Sequence, residues 1–256
     1  FNFKIKNEIQ LTVALPTFDN ADIIWLQLES LCRQETEFNW ELIVCEEQQG
    51  NFLGKERLFK YKDRLLHAKC VNILYIPLNE HILLSKKWLR IAEEASGESF
   101  ALCASDNFSP PNRIQLSHEK IRDGFEWFDV RKSLFFNLKR FTSSTYIDPS
   151  EEQNCGVTMC TRTNFVKRLK GPWPLNGIDH WIKTSSGVSK HYQYKDNLKG
   201  VHTDGANKIS LGRYTRYPDK NERVKYLPPY HPPEQNIEEI LPNELLQRLK
   251  SRFYEL

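Results

Sequence analysis

Apolar residues along the first half of the chain gather into four short runs, at 11–15, 42–45, 71–76 and 100–104, separated by longer stretches of helical periodicity. Runs rich in Val, Ile, Leu and Phe without strict alternation predict strands covered on both faces, as in a parallel sheet. Between them, residues 20–35 place Ile24, Leu28 and Leu31 on one helical face, with Asn20 positioned as a cap. Residues 54–68 and 83–95 read as two further helices, the second capped by Ser85 or ended near Gly97. The alternation β-α-β-α-β-α-β predicts an α/β chain with a mostly parallel central sheet and helices on both faces.

After Pro110-Pro111 the pattern changes. Residues 124–146 are aromatic and mixed in character, as expected of a hairpin or a mobile loop. A strand is predicted at 156–160, a helix at 162–169, and a second helix at 179–185 after Gly171-Pro172-Trp173-Pro174. Prolines recur from 217 to 235, which favours an extended path over the surface. A final amphipathic helix is predicted at 236–253, with Ile237, Ile240, Leu241, Leu245, Leu246 and Leu249 on one face. The expected organisation is an α/β domain at 1–216, followed at 217–256 by a proline-rich segment and a C-terminal helical extension.

Composition narrows the class of partner. With 39% hydrophobic and 12% aromatic residues, the 256-residue chain has the means to bury a core. Its 36 basic residues against 33 acidic ones give a net charge of only +3, unlike a dedicated nucleic-acid binder. No apolar run is long enough to cross a bilayer, and the N-terminus lacks a signal-peptide pattern. The sequence starts at Phe1 rather than Met, so further domains of a longer chain are allowed for. None of the six cysteines forms a Cys-x-x-Cys pair, and Cys45 and Cys103 lie in apolar runs. Buried free thiols are expected, and with them a reducing, cytoplasmic location.

Ligands of open α/β sheets bind beyond the carboxyl ends of the strands. Here those ends read Pro16-Thr17-Phe18-Asp19, Glu46-Glu47 and Ser105-Asp106-Asn107. Acidic side chains facing one crevice repel a bare phosphate, so a phosphate ligand there calls for a bridging cation. Mg²⁺ or Mn²⁺ takes one or two carboxylates together with substrate phosphate oxygens. For Glu46 and Glu47 the simple preference of strand ends for polar residues is an equal alternative. Asp106 stands out because it follows an apolar strand and precedes Pro110-Pro111. A Walker-type loop, a Gly-x-Gly-x-x-Gly turn and a Gly-x-Ser-x-Gly elbow are all missing from the sequence.

These segments resemble the inverting GT-A glycosyltransferases of the family 2 type. Leu11 through Asp19 is similar to that family's first strand and loop. Leu28-Glu29-Ser30-Leu31-Cys32-Arg33-Gln34 followed by Trp40-Glu41-Leu42-Ile43-Val44 resembles its next conserved segment. Phe100 through Asn107 lies where the family carries its Asp-X-Asp motif, although only one carboxylate, Asp106, remains. The resemblance spans residues 9–213 and implies a GT-A, Rossmann-like fold and a nucleotide-sugar-dependent hexosyltransferase of polysaccharide biosynthesis. It implies that Pro16, Thr17, Asp19, Glu46, Glu47, Ser105, Asp106 and Asn107 line the donor site, and that Asp106 binds Mn²⁺ or Mg²⁺.

Downstream, Trp173 through Ile182 resembles the family's acceptor-side segment, where an acidic residue opens a helix. The resemblance makes Asp179 the general base that takes the proton of the attacking hydroxyl. As a residue type at that place, Asp179 serves equally as a helix cap. Trp173, His180 and Trp181 are the expected acceptor contacts, with core packing as the alternative for the aromatic pair. The resemblance also implies that His202 completes the metal shell, while an isolated His is more often an ordinary surface or core residue. Arg213, or nearby Lys208, is a candidate partner for the leaving diphosphate, against the plainer reading of a solvated basic face.

The expected partners are therefore a nucleotide-sugar donor and a glycan acceptor, without nucleic acid. Two other functions remain open at this point. A sugar-phosphate nucleotidyltransferase shares the fold, but usually carries a glycine-rich basic loop after its first strand. A non-catalytic carbohydrate-binding or scaffold module on a decayed GT-A domain would account for the depleted carboxylates around Asp106.

Overall fold

The computed structural model describes residues 8–138, 141–147, 158–174, 178–195, 198, 201–204, 230–231 and 233–253. The four apolar runs form β1 (Ile9–Thr17), β2 (Asn39–Glu47), β3 (Cys70–Leu78) and β4 (Ser99–Leu102). β3, β2, β1 and β4 lie side by side and all parallel, so their carboxyl ends share one edge. The sheet continues through β9 (Cys160–Arg162), which is antiparallel to both neighbours, to β6 (Trp127–Val130) and β10 (His191–Tyr194). This gives seven strands in the order β10-β6-β9-β4-β1-β2-β3.

Successive residues of β1 and β2 point to opposite faces and enter different cores. Leu11, Val13, Leu15, Leu42 and Val44 pack with Ile24, Leu28 and Leu31 of α1 (Ile24–Leu31) and with Ile114 and Ile121 of α5 (Arg113–Arg122). Ala14, Ile43 and Cys45 pack instead with Trp88, Ile91 and Ala92 of α4 (Leu84–Glu94) and with Ile178 and Ile182 of α7 (Ile178–Ser185). Both faces being covered explains why the strands carry continuous apolar runs.

A second sheet of five strands stands beside the first, in the order β12-β8-β7-β11-β5. Its members are β5 (Asn107–Phe108), β7 (Lys132–Asn137), β8 (Thr142–Ile147), β11 (Val201–Asp204) and β12 (Tyr230–His231). The aromatic segment predicted as a hairpin or loop thus contains the antiparallel β7–β8 pair. A third core lies under this sheet and joins Phe108, Leu134 and Phe136 to Ile23, Trp25 and Leu26, and to Leu245, Leu246 and Leu249 near the C-terminus.

Several helices differ from their predicted extent. Residues 54–68 hold two short helices, α2 (Lys55–Phe59) and α3 (Lys62–His67), separated at Lys60 and Tyr61. The final helix is also two, α8 (Ile237–Ile240) and α9 (Asn243–Phe253). Leu241 between them is extended, at φ −86° and ψ 133°, because Pro242 disfavours helical geometry in the residue before it. The Asn20 side chain makes no cap to α1, which starts only at Ile24, and Ser85 is buried inside α4 rather than capping it. The remaining helix, α6 (Thr163–Lys167), follows β9 directly.

Candidate active site

At the carboxyl edge of the sheet, four loops are tied together by polar side chains. Asp19, just past β1, sits at φ +50°, and its Oδ1 accepts from the Asn51 backbone N–H at 2.8 Å. Gly50 turns close above it: a Cβ there would lie 2.7 Å from Asp19 Oδ1, and φ is +68°, so the turn needs glycine. Asn20 Nδ2 donates to Ser105 Oγ at 2.6 Å, linking the loop after β1 to the loop after β4. Among the described residues, Thr17 Oγ1 and Asn20 Oδ1 are buried at this edge with no hydrogen-bond partner. Buried polar atoms are nearly always paired, so these two stand out at the crevice edge.

Glu46 and Glu47, at the end of β2, are both buried and both engaged. Glu46 accepts from the backbone N–H groups of Leu53 and Gly54, at 2.7 and 2.8 Å, and from Tyr75 Oη at 2.8 Å. Burial, together with this bond to a carboxylate, pushes the Tyr75 phenol up to about 12. Glu47 receives Lys87 Nζ at 2.5 Å, His81 Nδ1 at 2.8 Å and the Ile82 N–H at 3.3 Å. Lys87, only 4% exposed, also donates to the Thr17 carbonyl at 3.1 Å. Phe18 lies between the His81 ring and the Lys87 ammonium, at 5.1 and 5.4 Å. The two glutamates therefore fix the loops that frame the crevice, with Pro16 and Thr17 buried between them.

Asp106 is 8% exposed and immediately precedes β5, where the chain crosses to the second sheet. The antiparallel β5–β11 register sets Asn107 opposite His202. Backbone pairing alone thus brings the strand bearing His202 alongside Asp106 and Asn107. Among the described residues no group of three or more His, Cys, Asp or Glu side chains is clustered for a metal. Asp179 lies in the first turn of α7 and is half-buried, while His180 beside it is exposed. Trp173 and Trp181 meet edge to face at 5.3 Å, each half-buried against the core that holds Ile178 and Ile182. Arg213 and Lys208 lie outside the described residues.

Sequence reasoning missed Asn20 as a loop tie, and it missed Lys87, His81 and Tyr75. Lys87 carried a usable signal: it stands four residues before Ile91, on the apolar stripe of α4. A lysine on a buried stripe requires a carboxylate partner, and Glu47 is that partner.

The strand order and the converging loops define the GT-A, Rossmann-like fold found in nucleotide-sugar glycosyltransferases. The S. aureus TarS 1–349 structure in complex with UDP-GlcNAc superposes with a TM-score of 0.60 at 15% identity, covering 81% of this chain and 62% of that one. TarS 1–349 alone gives a TM-score of 0.56 at 15% identity, covering 76% of this chain and 60% of that one. The mannosyltransferase PcManGT from Pyrobaculum calidifontis, in complex with GDP-Man and Mn²⁺, gives 0.56 at 12% identity, covering 80% and 59%. The chain thus spans about 60% of the length of each of these three structures. Its sequence matches no protein-family model and no curated protein.

Proposed function

We propose that the chain is a nucleotide-sugar-dependent glycosyltransferase that moves a hexosyl group to a glycan hydroxyl with inversion. The observation that carries this reading is the β4–β5 junction, where buried Asp106 adjoins the strand pair that sets Asn107 opposite His202. A carboxylate and an imidazole fit Mn²⁺ or Mg²⁺, which accept few protein ligands when substrate phosphates supply the rest. Asp106 and His202 would hold the ion. When bound, such a cation neutralises charge on a departing diphosphate.

The chain's own residues supply the other parts. Asp19, Glu46 and Glu47 hold the loops that surround the donor, with Thr17 and Asn20 at the same edge. The acceptor lies against Trp173, His180 and Trp181, and its oxygen attacks the anomeric carbon from the face opposite the leaving group. Asp179 takes the hydroxyl proton as the new C–O bond forms and the bond to the diphosphate breaks. Arg213 would face the charge that develops on the leaving group. The five described cysteines are unpaired, which supports a reducing, cytoplasmic setting. No described helix is long and apolar enough to cross a membrane.

Isothermal titration with UDP, GDP and their sugars, with and without Mn²⁺, tests this function. Binding of one nucleotide sugar, followed by release of the nucleoside diphosphate with a glycan acceptor, is expected. A chain that binds glycan but releases no nucleoside diphosphate from any donor would instead be a carbohydrate-binding module.

A further inference from the structure

A buried polar cluster lies on the far side of the first sheet from α1, between β6, β10 and α7. Asp129 of β6 is 0% exposed. Its Oδ2 accepts from Trp127 Nε1 at 3.0 Å and lies 3.0 Å from His191 Nε2, off the line of that N–H bond. Among the described residues, Asp129 Oδ1 has no hydrogen-bond partner. On the other side of the imidazole, His191 Nδ1 lies 2.9 Å from Lys183 Nζ. The β10–β6 register sets His191 opposite Trp127, so both share a face with Asp129, two residues along.

The chemistry of the groups fixes their protonation. A lysine ammonium only donates, so its contact with His191 requires Nδ1 to accept. The ring proton then sits on Nε2, on the side of the Asp129 carboxylate. Carboxylate, neutral imidazole and ammonium follow one another from the sheet out to the helix.

Lys183 stands four residues after Asp179, so the two share one face of α7, a turn apart. Ile178 and Ile182 hold the helix against its core, but apolar contact is non-directional and leaves rotation about the helix axis weakly set. The His191–Lys183 contact is directional and pins the side of the helix that bears Asp179.

We infer that His191 is a positioning residue: backed by Asp129 and holding Lys183, it sets the rotation of α7 and so the direction in which Asp179 presents its carboxylate. The inference rests on the reading of Asp179 as the base, and the test separates the two. His191→Gln keeps an oxygen to accept from Lys183 and an N–H on the side of Asp129, whereas His191→Leu keeps bulk and removes both.

Histidine ¹⁵N spectra of the parent should show His191 as the neutral Nε2–H tautomer, and an Nδ1–H tautomer would overturn the inference. His191→Leu should speed amide exchange across residues 178–185 by about tenfold, while His191→Gln stays near the parent. With UDP-GlcNAc or GDP-mannose as donor, His191→Leu should lower kcat by about ten- to a hundred-fold, with donor KM within about twofold, and Gln should restore it. Parent-like exchange in His191→Leu overturns the inference whatever the activity. Should that variant fail to fold, Lys183→Met carries the same exchange and kcat expectations. Asp179→Asn is measured beside them. If it keeps parent turnover, the base assignment has failed, and the α7 setting is still decided by tautomer and exchange.

Discussion

Asn20 and Ser105, 85 positions apart, meet side chain to side chain at 2.6 Å and close the crevice between the ends of β1 and β4. The bond is buried, and the other Asn20 amide atom, Oδ1, is already without a partner among the described residues.

Ser105→Ala should therefore leave both polar ends of the Asn20 amide unsatisfied. The expected loss is about 1–3 kcal/mol of stability, together with weaker nucleotide binding as the two loops separate. Urea denaturation and titration with UDP or GDP measure the two effects. Parent-like values in both would remove this contact from the donor site.

The Glu47–Lys87 pair is buried on both sides, so removing one partner strands the other. Lys87→Met should cost about 3–5 kcal/mol, with Glu47→Leu/Lys87→Met recovering most of it. Thermal and chemical melts of the single and double variants check this. A double variant no more stable than Lys87→Met would mean that His81 and the Ile82 N–H, rather than Lys87, compensate Glu47.

Glu29 predicts the acid response. Burial pushes its carboxyl up, but hydrogen bonds from Arg64 and Arg33 outweigh this and hold it at about 2, below the usual 4.5. A carboxylate lowered on folding stabilises the fold above its unfolded value and loses that contribution as pH falls through the folded one. Stability should decline between about pH 4.5 and pH 2, by about 1–2 kcal/mol once solvent screening at half-exposed Arg64 is allowed for. Glu29→Gln should be less stable at pH 7 and flatter across that window. An unchanged acid slope would place the titration on other carboxylates.

Asp106→Ala should abolish any gain in nucleoside-diphosphate affinity that Mn²⁺ confers, and His202→Ala should reduce that gain while leaving the melting temperature nearly intact. Calorimetry in chelator and in Mn²⁺ reads both. Equal affinity of the parent in the two buffers would take the cation out of the proposal, and a large loss of stability in His202→Ala would make that histidine structural.

Asp179→Asn separates base from cap, because Asn still caps a helix but does not take a proton at neutral pH. Normal melting and donor binding are expected, with sugar transfer slower by at least about a hundred-fold. Near-parent turnover would leave Asp179 with a structural role only.

The layered fold was legible because strands covered on both faces leave unbroken apolar runs; β1 and β2 extend only a few residues past theirs. Pro242 carried a signal for the break, since proline restricts the residue before it, but the apolar stripe from Ile237 to Leu249 reads as one continuous helix. The separation of α2 from α3 carried no such signal. No Gly or Pro marks Lys60–Tyr61, where Tyr61 packs against the first core. The acidic strand ends identified the crevice, yet sequence could not show that Glu46 and Glu47 turn inward to hold backbone N–H groups and a buried lysine. Those partners lie 7 to 40 positions away, at spacings that no local pattern in the sequence reveals.

The third core has a consequence for the order of events during synthesis. Every residue of α1 is buried, and its Trp25 and Leu26, with Ile23 just before the helix, pack with Leu241, Leu245, Leu246 and Leu249. Arg248 lies over the Trp25 ring at 4.0 Å, and Arg33 pairs with Glu244 at 3.0 Å. A nascent chain therefore exposes this flank of α1 until more than two hundred further residues have left the ribosome. Throughout that interval the apolar flank is open to chaperones and to other nascent chains, and arrival of α9 ends the exposure.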